Sequence, residues 1–259
     1  MRAMQRRSLL TLPLGAALLP AQEAAAPAQA LLELRYFRMR SGPQMTRTTE
    51  YLRKGWLPAA QRAGVGPLGF FSAVVAPESP FILSLASYRS FEAVLATHNK
   101  LAADREFQAV RDEYNSGEPG YERMENSLLL AFPSMPAVAP PPVQEGRAAR
   151  IFELRTYESP TERTLERKVK MFGDGEIEAF RRCAMLPVFF GSALVGRNLP
   201  HLTYMLAFDD LAARDKAWSA FGKDPGWQRL RATPGLSDAE IVCNITNAIL
   251  RPLPFSPIR

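Results

Sequence analysis

The chain has 259 residues, of which 47% are hydrophobic and 22% are charged. These proportions are ordinary for globular proteins and exclude a largely disordered chain. The net charge is +6, but Lys and Arg are interleaved with Asp and Glu, as in residues 163–170. Because a nucleic-acid footprint needs clustered basic residues, we expect no nucleic-acid partner.

The first thirty residues have the features of a targeting segment. Arg6 and Arg7 form a twin-arginine pair, and residues 9–19 are mostly apolar but too few to span a bilayer. Residues 28–30 (Ala-Gln-Ala) fit the small-x-small pattern of a cleavage site. We therefore expect a Tat-like signal peptide over residues 1–30, cleavage after Ala30, and export to the periplasm or beyond. An uncleaved anchor and a cytosolic tail stay open, and we expect no transmembrane segment in the mature chain.

An internal repeat organises the remainder. The tripeptide Glu-Leu-Arg at 33–35 recurs at 153–155, an offset of 120 residues. Further identities at this offset are Arg62 and Arg182, Phe70 and Phe190, Asp104 and Asp224, and Leu130 and Leu250. Residues 133–146 contain five prolines and favour an extended linker. This organisation predicts domains at 31–132 and 150–259, with a linker at 133–149 and a C-terminal tail.

Each repeat has a strand–helix–strand–strand–helix–strand pattern, clearest in the second. Alternation predicts a strand over 151–157, followed by a helix over 163–185 that is interrupted at 173–175. Strands over 189–195 and 202–208 flank a hairpin, and a strand at 240–250 ends the repeat. The predicted helix caps are Ser90, Asp209 or Asp210, and Asp224. The order is ferredoxin-like, so we predict an α+β fold with the two βαββαβ domains packed sheet to sheet in a pseudo-symmetric α+β barrel.

Several segments resemble the NIPSNAP family. They are the opening strand 152–157 (FELRTY), the hairpin 198–204 (NLPHLTY), the helix start 208–214, the turn 224–227 (DPGW) and the end 249–252. The resemblance covers most of 150–252 and, more weakly, 31–132, where residues 104–107 lack the Asp-Pro-x-Trp turn. It implies the dimeric α+β barrel architecture, and the family supplies no established catalytic residues.

Candidate polar residues lie on the first strand of each repeat. Glu153, Arg155 and Tyr157 share one strand face, and Phe152 and Leu154 share the other. We expect Phe152 and Leu154 to face the helices, and the polar residues to face the opposing sheet. The expected pocket or inter-sheet residues are Glu33, Arg35, Glu153, Arg155, Tyr157, Asn198, His201, Tyr204 and Trp218. The Glu–Arg pairs either line a pocket or are ion pairs that stabilise the fold, and we favour the second.

No motif for a nucleophile, a metal or a cofactor is recognisable, so we expect none of these. Cys183 and Cys243 are expected as buried free thiols, although a disulfide stays open. We interpret the protein as a non-catalytic binding module for an unknown small molecule or protein. The alternative is a cofactor-free monooxygenase- or isomerase-like enzyme that acts on a small apolar molecule. An enclosed cavity beside His201 would favour the enzyme. Assembly into a homo-oligomer stays open.

Overall fold

The computed structural model describes residues 28–143 and 145–259. Most of the predicted signal peptide, including its twin arginines, therefore lies outside the described residues. The end of that segment is described and contacts the fold. The backbone nitrogen of Ala30 donates to the oxygen of Pro136 at 2.8 Å, and its oxygen accepts from the nitrogen of Ala131 at 2.9 Å.

Eight strands carry the architecture, four from each repeat. In repeat 1 they are β1 (Leu31–Arg38), β2 (Leu68–Val75), β3 (Phe81–Tyr88) and β4 (Arg123–Ala131). In repeat 2 they are β5 (Ile151–Glu158), β6 (Leu186–Val195), β7 (His201–Phe208) and β8 (Asn244–Pro252).

The helices lie between the strands in the predicted order. Repeat 1 has α1 (Pro43–Tyr51), α2 (Leu57–Ala63), α3 (Phe91–Ala103) and α4 (Arg105–Asn115). Repeat 2 has α5 (Glu162–Met171), α6 (Ile177–Arg182), α7 (Leu211–Lys223), α8 (Pro225–Arg231) and α9 (Asp238–Ile241). A π-helical turn joins the first two helices of each repeat, at Leu52–Trp56 and at Phe172–Glu176. The second contains Gly175 at φ 146°, a conformation that favours glycine. The predicted interruption of that helix is therefore a π-turn.

The caps follow the sequence prediction. The side chains of Ser90, Asp210 and Asp224 accept hydrogen bonds from the first turns of α3, α7 and α8. Each cap satisfies a backbone N–H group that has no partner within its helix.

The two sheets form one closed barrel in the strand order β1-β3-β2-β8-β5-β7-β6-β4. Each repeat contributes a ferredoxin-like sheet, and the sheets join edge to edge through antiparallel pairs β2–β8 and β4–β6. The predicted α+β fold with two pseudo-symmetric βαββαβ units is confirmed. Closure leaves neither sheet with an unpaired edge, which removes a common site of aggregation.

The barrel interior is apolar, and this reverses the predicted faces of the first strands. Phe152 and Leu154 pack inside the barrel, and the ring of Phe152 lies 4.9 Å from that of Phe71 in repeat 1. Glu153 and Tyr157 instead face the helices. The prediction that Glu33, Arg35, Glu153, Arg155 and Tyr157 lie between the sheets is therefore wrong. Two facing sheets enclose a volume without water, where charged side chains would lack partners, whereas the helices supply donors.

Three smaller predictions also change. The offset between the repeats is 121 residues, rather than 120, in the last strand of each repeat. Asn126 lies opposite Arg35 in the β1–β4 pair, and Asn247 lies opposite Arg155 in the β5–β8 pair. The last strand begins at Asn244, after the short helix α9, rather than at 240. Both cysteines are free thiols, as expected. Cys243, however, is exposed and lies before β8, rather than buried within that strand.

Candidate functional site

Repeat 2 contains a complete polar cluster between its sheet and its helices. Glu153 on β5 is fully buried and accepts five hydrogen bonds. Their donors are Arg155 Nη1 at 2.9 Å, Arg214 Nε and Nη2 at 2.8 Å each, Trp218 Nε1 at 2.7 Å and Asn247 Nδ2 at 2.7 Å. Burial opposes the ionised form, but these donors hold the pKa of Glu153 below its usual value.

Aromatic rings close the rest of this space. Arg155 donates from Nε to the hydroxyl of Tyr157 at 3.2 Å, and its guanidinium lies 4.8 Å from the centre of the Trp218 ring. Tyr157 shares a hydrogen bond with the hydroxyl of Tyr204 at 2.9 Å. Tyr204 is fully buried, and burial raises its pKa well above the usual value. The structure therefore brings Glu153, Arg155, Tyr157, Tyr204 and Trp218 together as a core in which Oδ1 of the neighbouring Asn247 is buried without a hydrogen-bond partner among the described residues.

Repeat 1 has the same pair in a less complete setting. Glu33 is buried and accepts from Arg35 Nη2 at 2.6 Å, Asn126 Nδ2 at 2.6 Å and the hydroxyl of Tyr88 at 3.1 Å. The guanidinium of Arg35 lies 5.2 Å from the centre of the Trp56 ring. The Nε atom of Arg35 is buried and has no hydrogen-bond partner among the described residues.

Three substitutions between the repeats explain this difference. Phe37 stands where repeat 2 has Tyr157, so the acceptor for the arginine Nε is absent. Val94 stands in place of Arg214, and His98 in place of Trp218. The two side chains that close the cluster of repeat 2 from helix α7 have no equivalent on α3.

A cavity of about 240 Å³ occupies this position in repeat 1. Its walls include Glu33, Arg35, Tyr51, Trp56, Tyr88, Val94, His98, Phe107 and Arg111. The π-helical turn places Trp56 against the guanidinium of Arg35, and such turns are frequent at functional sites. Burial raises the pKa of Tyr51 to about 12 and also raises that of Tyr88, which lies beside Glu33. Both phenols therefore remain protonated at neutral pH.

The two remaining predicted site residues lie elsewhere. Asn198 and His201 line a separate cavity of about 330 Å³ at one mouth of the barrel. His201 is buried, and burial lowers its pKa below the usual value. The rim residues Glu78, Arg197 and Asn198 are exposed, so this cavity beside His201 is open rather than enclosed.

Among residues 28–143 and 145–259, no group of three or more His, Cys, Asp or Glu side chains is arranged to hold a metal ion. Over the same residues, no helix has both the length and the apolar character needed to cross a membrane.

The model of the NIPSNAP family matches residues 32–136 and 152–257, one copy in each repeat. The chain belongs to the NIPSNAP family. No curated protein matches this NIPSNAP protein in sequence.

Solved structures share the fold of this NIPSNAP protein across both repeats. A candidate monooxygenase from Lactobacillus acidophilus is 10% identical, with a TM-score of 0.57, covering 86% of this chain and 93% of its own. A candidate monooxygenase from Fusobacterium nucleatum is also 10% identical, with a TM-score of 0.56 and coverages of 88% and 94%. An anthrone oxidase-like protein is 13% identical, with a TM-score of 0.53 and coverages of 88% and 93%. At these identities the similarity shows a shared fold.

Sequence reasoning missed the residues that distinguish the two clusters. They are Phe37, Trp56, Val94 and His98 in repeat 1, and Arg214 in repeat 2. The offset of 120 residues was the available signal, because it aligns Val94 with Arg214 and His98 with Trp218. These positions differ between the repeats, so a comparison of identical residues at this offset does not find them.

Proposed function

We propose that this protein binds a small molecule in the cavity between the sheet and the helices of repeat 1. The observation that carries the proposal is the buried Nε of Arg35, which has no partner among the described residues and belongs to a residue lining that cavity. A buried donor without an acceptor costs free energy, on the order of 1–3 kcal/mol. A ligand oxygen that reaches Nε after a small shift of the Arg35 side chain would recover that free energy.

The walls define the class of ligand. Tyr51, Trp56, Tyr88 and Phe107 present aromatic surface, which favours a flat apolar body. The volume of about 240 Å³ is below the range of roughly 300–1,000 Å³ that is usual for drug-sized ligands. Because Glu33 already offsets the charge of Arg35, a neutral carbonyl oxygen suits the site as well as a carboxylate. We therefore propose a monocyclic aromatic compound that carries a carbonyl or carboxylate group.

Isothermal titration calorimetry with acetophenone, benzoate and toluene tests this proposal. Toluene has the apolar body without an oxygen acceptor. We expect acetophenone or benzoate to bind at least about tenfold more tightly than toluene, since a hydrogen bond to a charged donor contributes about 1.5–3 kcal/mol. Equal binding of the three compounds, or no binding of any, would contradict the proposal.

Phe37→Tyr is the most informative variant. It restores to repeat 1 the acceptor that Tyr157 gives to Arg155 in repeat 2. We expect it to weaken acetophenone binding about tenfold, because its hydroxyl competes with the ligand for Arg35 Nε. Tyr157→Phe is the matched control, in which repeat 1 should bind as in the parent protein.

A cofactor-free enzyme is the second candidate. The favouring observation is the buried carboxylate of Glu33, which lies at the cavity wall with the hydroxyl of Tyr88 at 3.1 Å and could accept a proton from a bound substrate. The solved structures that share the fold include two candidate monooxygenases. Oxygen uptake and product analysis during the titrations distinguish the candidates. Loss of ligand that depends on Glu33 would favour the enzyme.

We also propose that the protein is exported. The supporting features are Arg6 and Arg7 and the Ala-Gln-Ala site at 28–30. N-terminal sequencing of protein from the cell envelope is expected to begin at Leu31. Replacing both arginines with lysine should retain the protein in the cytosol. An intact Met1 in the cytosolic fraction of cells that carry the native sequence would contradict export.

A further inference from the structure

The mouth of the barrel beside His201 is a second cavity, separate from the proposed ligand site. It has a volume of about 330 Å³ and is lined by both repeats. Its deepest residues are buried, among them Leu34, Phe81, His201, Thr203 and Ala248. The two repeats contribute unlike residues at one equivalent position of the lining, where His201 of repeat 2 corresponds to Phe81 of repeat 1. The buried part of the cavity therefore has an apolar wall at Leu34 and Phe81 and a polar wall at His201 and Thr203.

The charged groups around the mouth pair with each other, except for Glu158. Arg38 lies 3.2 Å from Glu125 and 3.7 Å from Glu78, and Arg197 lies 3.0 Å from Glu125. Arg123 also bonds to both of these carboxylates. With Glu158, which accepts from Asn198 and Asn244, three cationic and three anionic side chains surround the mouth. A phosphate or carboxylate site needs arginines that are free to engage the anion. Because the positive and negative charges are equal in number, the mouth disfavours both anionic and cationic ligands.

Several neutral groups at the mouth retain unused hydrogen-bonding capacity. The ring nitrogen Nδ1 of His201 lies 3.3 Å from the backbone oxygen of Asn198, and the second ring nitrogen can act as a further donor or acceptor. Thr156 and Thr203 share one hydrogen bond between their hydroxyls at 2.8 Å, so each retains further capacity. Tyr36 also lines the cavity, and a phenol hydroxyl can both donate and accept a hydrogen bond.

We propose that the barrel mouth binds a small, neutral, cyclic polyol, such as a monosaccharide. Hydroxyl groups both donate and accept, which matches the mixed set of Thr156, Thr203, His201 and Tyr36. The C–H face of a sugar ring would contact Leu34 and Phe81 on the apolar wall. A ring of this size suits a cavity of about 330 Å³ that is open at its rim. This site stands independently of the ligand proposed for repeat 1.

Saturation-transfer NMR and calorimetry on the full chain test the assignment. The neutral probes are methyl α-D-glucopyranoside and myo-inositol, and the charged comparisons are D-glucuronate and D-glucosamine. We expect at least one neutral probe to bind at least about fivefold more tightly than either charged one. Tighter binding of glucuronate or glucosamine, or no binding of the neutral probes at millimolar concentration, would overturn the proposal.

Two variants locate the binding. His201→Phe places at this position the residue that Phe81 supplies in repeat 1, and Thr203→Val removes a hydroxyl without changing side-chain shape. Each should weaken polyol binding about tenfold, and the second variant remains informative where the first fails to fold. Arg53→Gln, at an exposed position on the π-helical turn of repeat 1, is the control and should bind the polyol as the parent protein does. Parent-like polyol affinity in Thr203→Val and in a folded His201→Phe would overturn the assignment.

Discussion

His98 and Trp218 occupy equivalent positions on α3 and α7, but only Trp218 reaches the buried glutamate of its repeat. Its Nε1 donates to Glu153 at 2.7 Å, whereas the exposed His98 borders the cavity beside Glu33. This substitution is one of the three that separate the filled core of repeat 2 from the open cavity of repeat 1. The two repeats have the same strand pairs, but their equivalent glutamate–arginine pairs lie in different surroundings.

Closing the cavity of repeat 1 is expected to abolish binding there. The double variant Val94→Arg and His98→Trp supplies the donors that Arg214 and Trp218 give to Glu153. We expect acetophenone affinity to fall at least tenfold, and the free energy of unfolding to rise by about 1 kcal/mol from the added hydrogen bonds. Calorimetric titration and urea denaturation measure the two effects. A double variant that binds like the parent protein would place the ligand elsewhere.

The reverse exchange is the matched control. Arg214→Val with Trp218→His removes three hydrogen bonds from Glu153 and exposes a buried carboxylate. This variant should unfold at lower urea concentration and retain ligand binding in repeat 1. Loss of both properties would mean that the repeats are coupled rather than independent.

The two members of the repeat 2 ion pair should differ in their effect on stability. Glu153→Leu leaves both Arg155 and Arg214 without their carboxylate, so the free energy of unfolding should fall by about 3–5 kcal/mol. Arg155→Met should cost less, because Glu153 keeps Arg214, Trp218 and Asn247. Denaturant unfolding of both variants checks the order. If Arg155→Met were the more damaging change, the arginine would have a role beyond the pairing seen here.

The sequence predicted the repeat and the order of its elements because local signals carry both. Ser90, Asp210 and Asp224 are helix caps in the structure, as their positions indicate. The faces of β1 and β5 were not predictable from alternation, because both sides of these strands are covered. When one side meets helices and the other the barrel interior, periodicity shows two faces without saying which is which.

The candidate site was less accessible to sequence reasoning. The sequence pattern indicates Tyr157 and Trp218, but the open cavity depends on Val94 and His98, which line it and carry no recognisable motif. The proposed ligand site rests on the hydrogen bond that Arg35 Nε lacks. This absence is visible only when the partners of Arg35 and Arg155 are compared in the structure. The sequence pattern predicts that His201 and Glu153 share a site. The strand register instead places His201 opposite Glu158, at the barrel mouth.

The equivalent aspartate caps should contribute similarly to stability. Asp104 accepts from the backbone nitrogen of Phe107 at 3.0 Å, and Asp224 accepts from that of Trp227 at 2.8 Å. Replacing either with alanine should lower the free energy of unfolding by about 0.5–2 kcal/mol, the usual contribution of an N-cap. Serine at the same positions should recover most of the loss. A serine variant as unstable as the alanine variant would assign the effect to the Arg62 or Arg182 ion pair instead.

Stability should depend on pH through Glu176, which lies on the π-turn of repeat 2. Burial raises the pKa of Glu176 from 4.5 to about 7, although Lys168 at 3.2 Å opposes the shift. Between these two pH values the folded state holds a proton that the unfolded state has released. The stabilisation is therefore complete below about pH 4.5 and is lost as pH rises through about 7.

The comparison with Glu176→Gln isolates this contribution. The parent protein should lose up to about 3 kcal/mol of unfolding free energy between pH 5 and pH 8, relative to the change in the variant, since one pKa unit corresponds to about 1.4 kcal/mol. Urea denaturation at several pH values measures it. Glu178→Gln, at an exposed position two residues away, is the control and should follow the parent curve. Parallel curves for the parent and Glu176→Gln would mean that Lys168 keeps Glu176 ionised throughout this range.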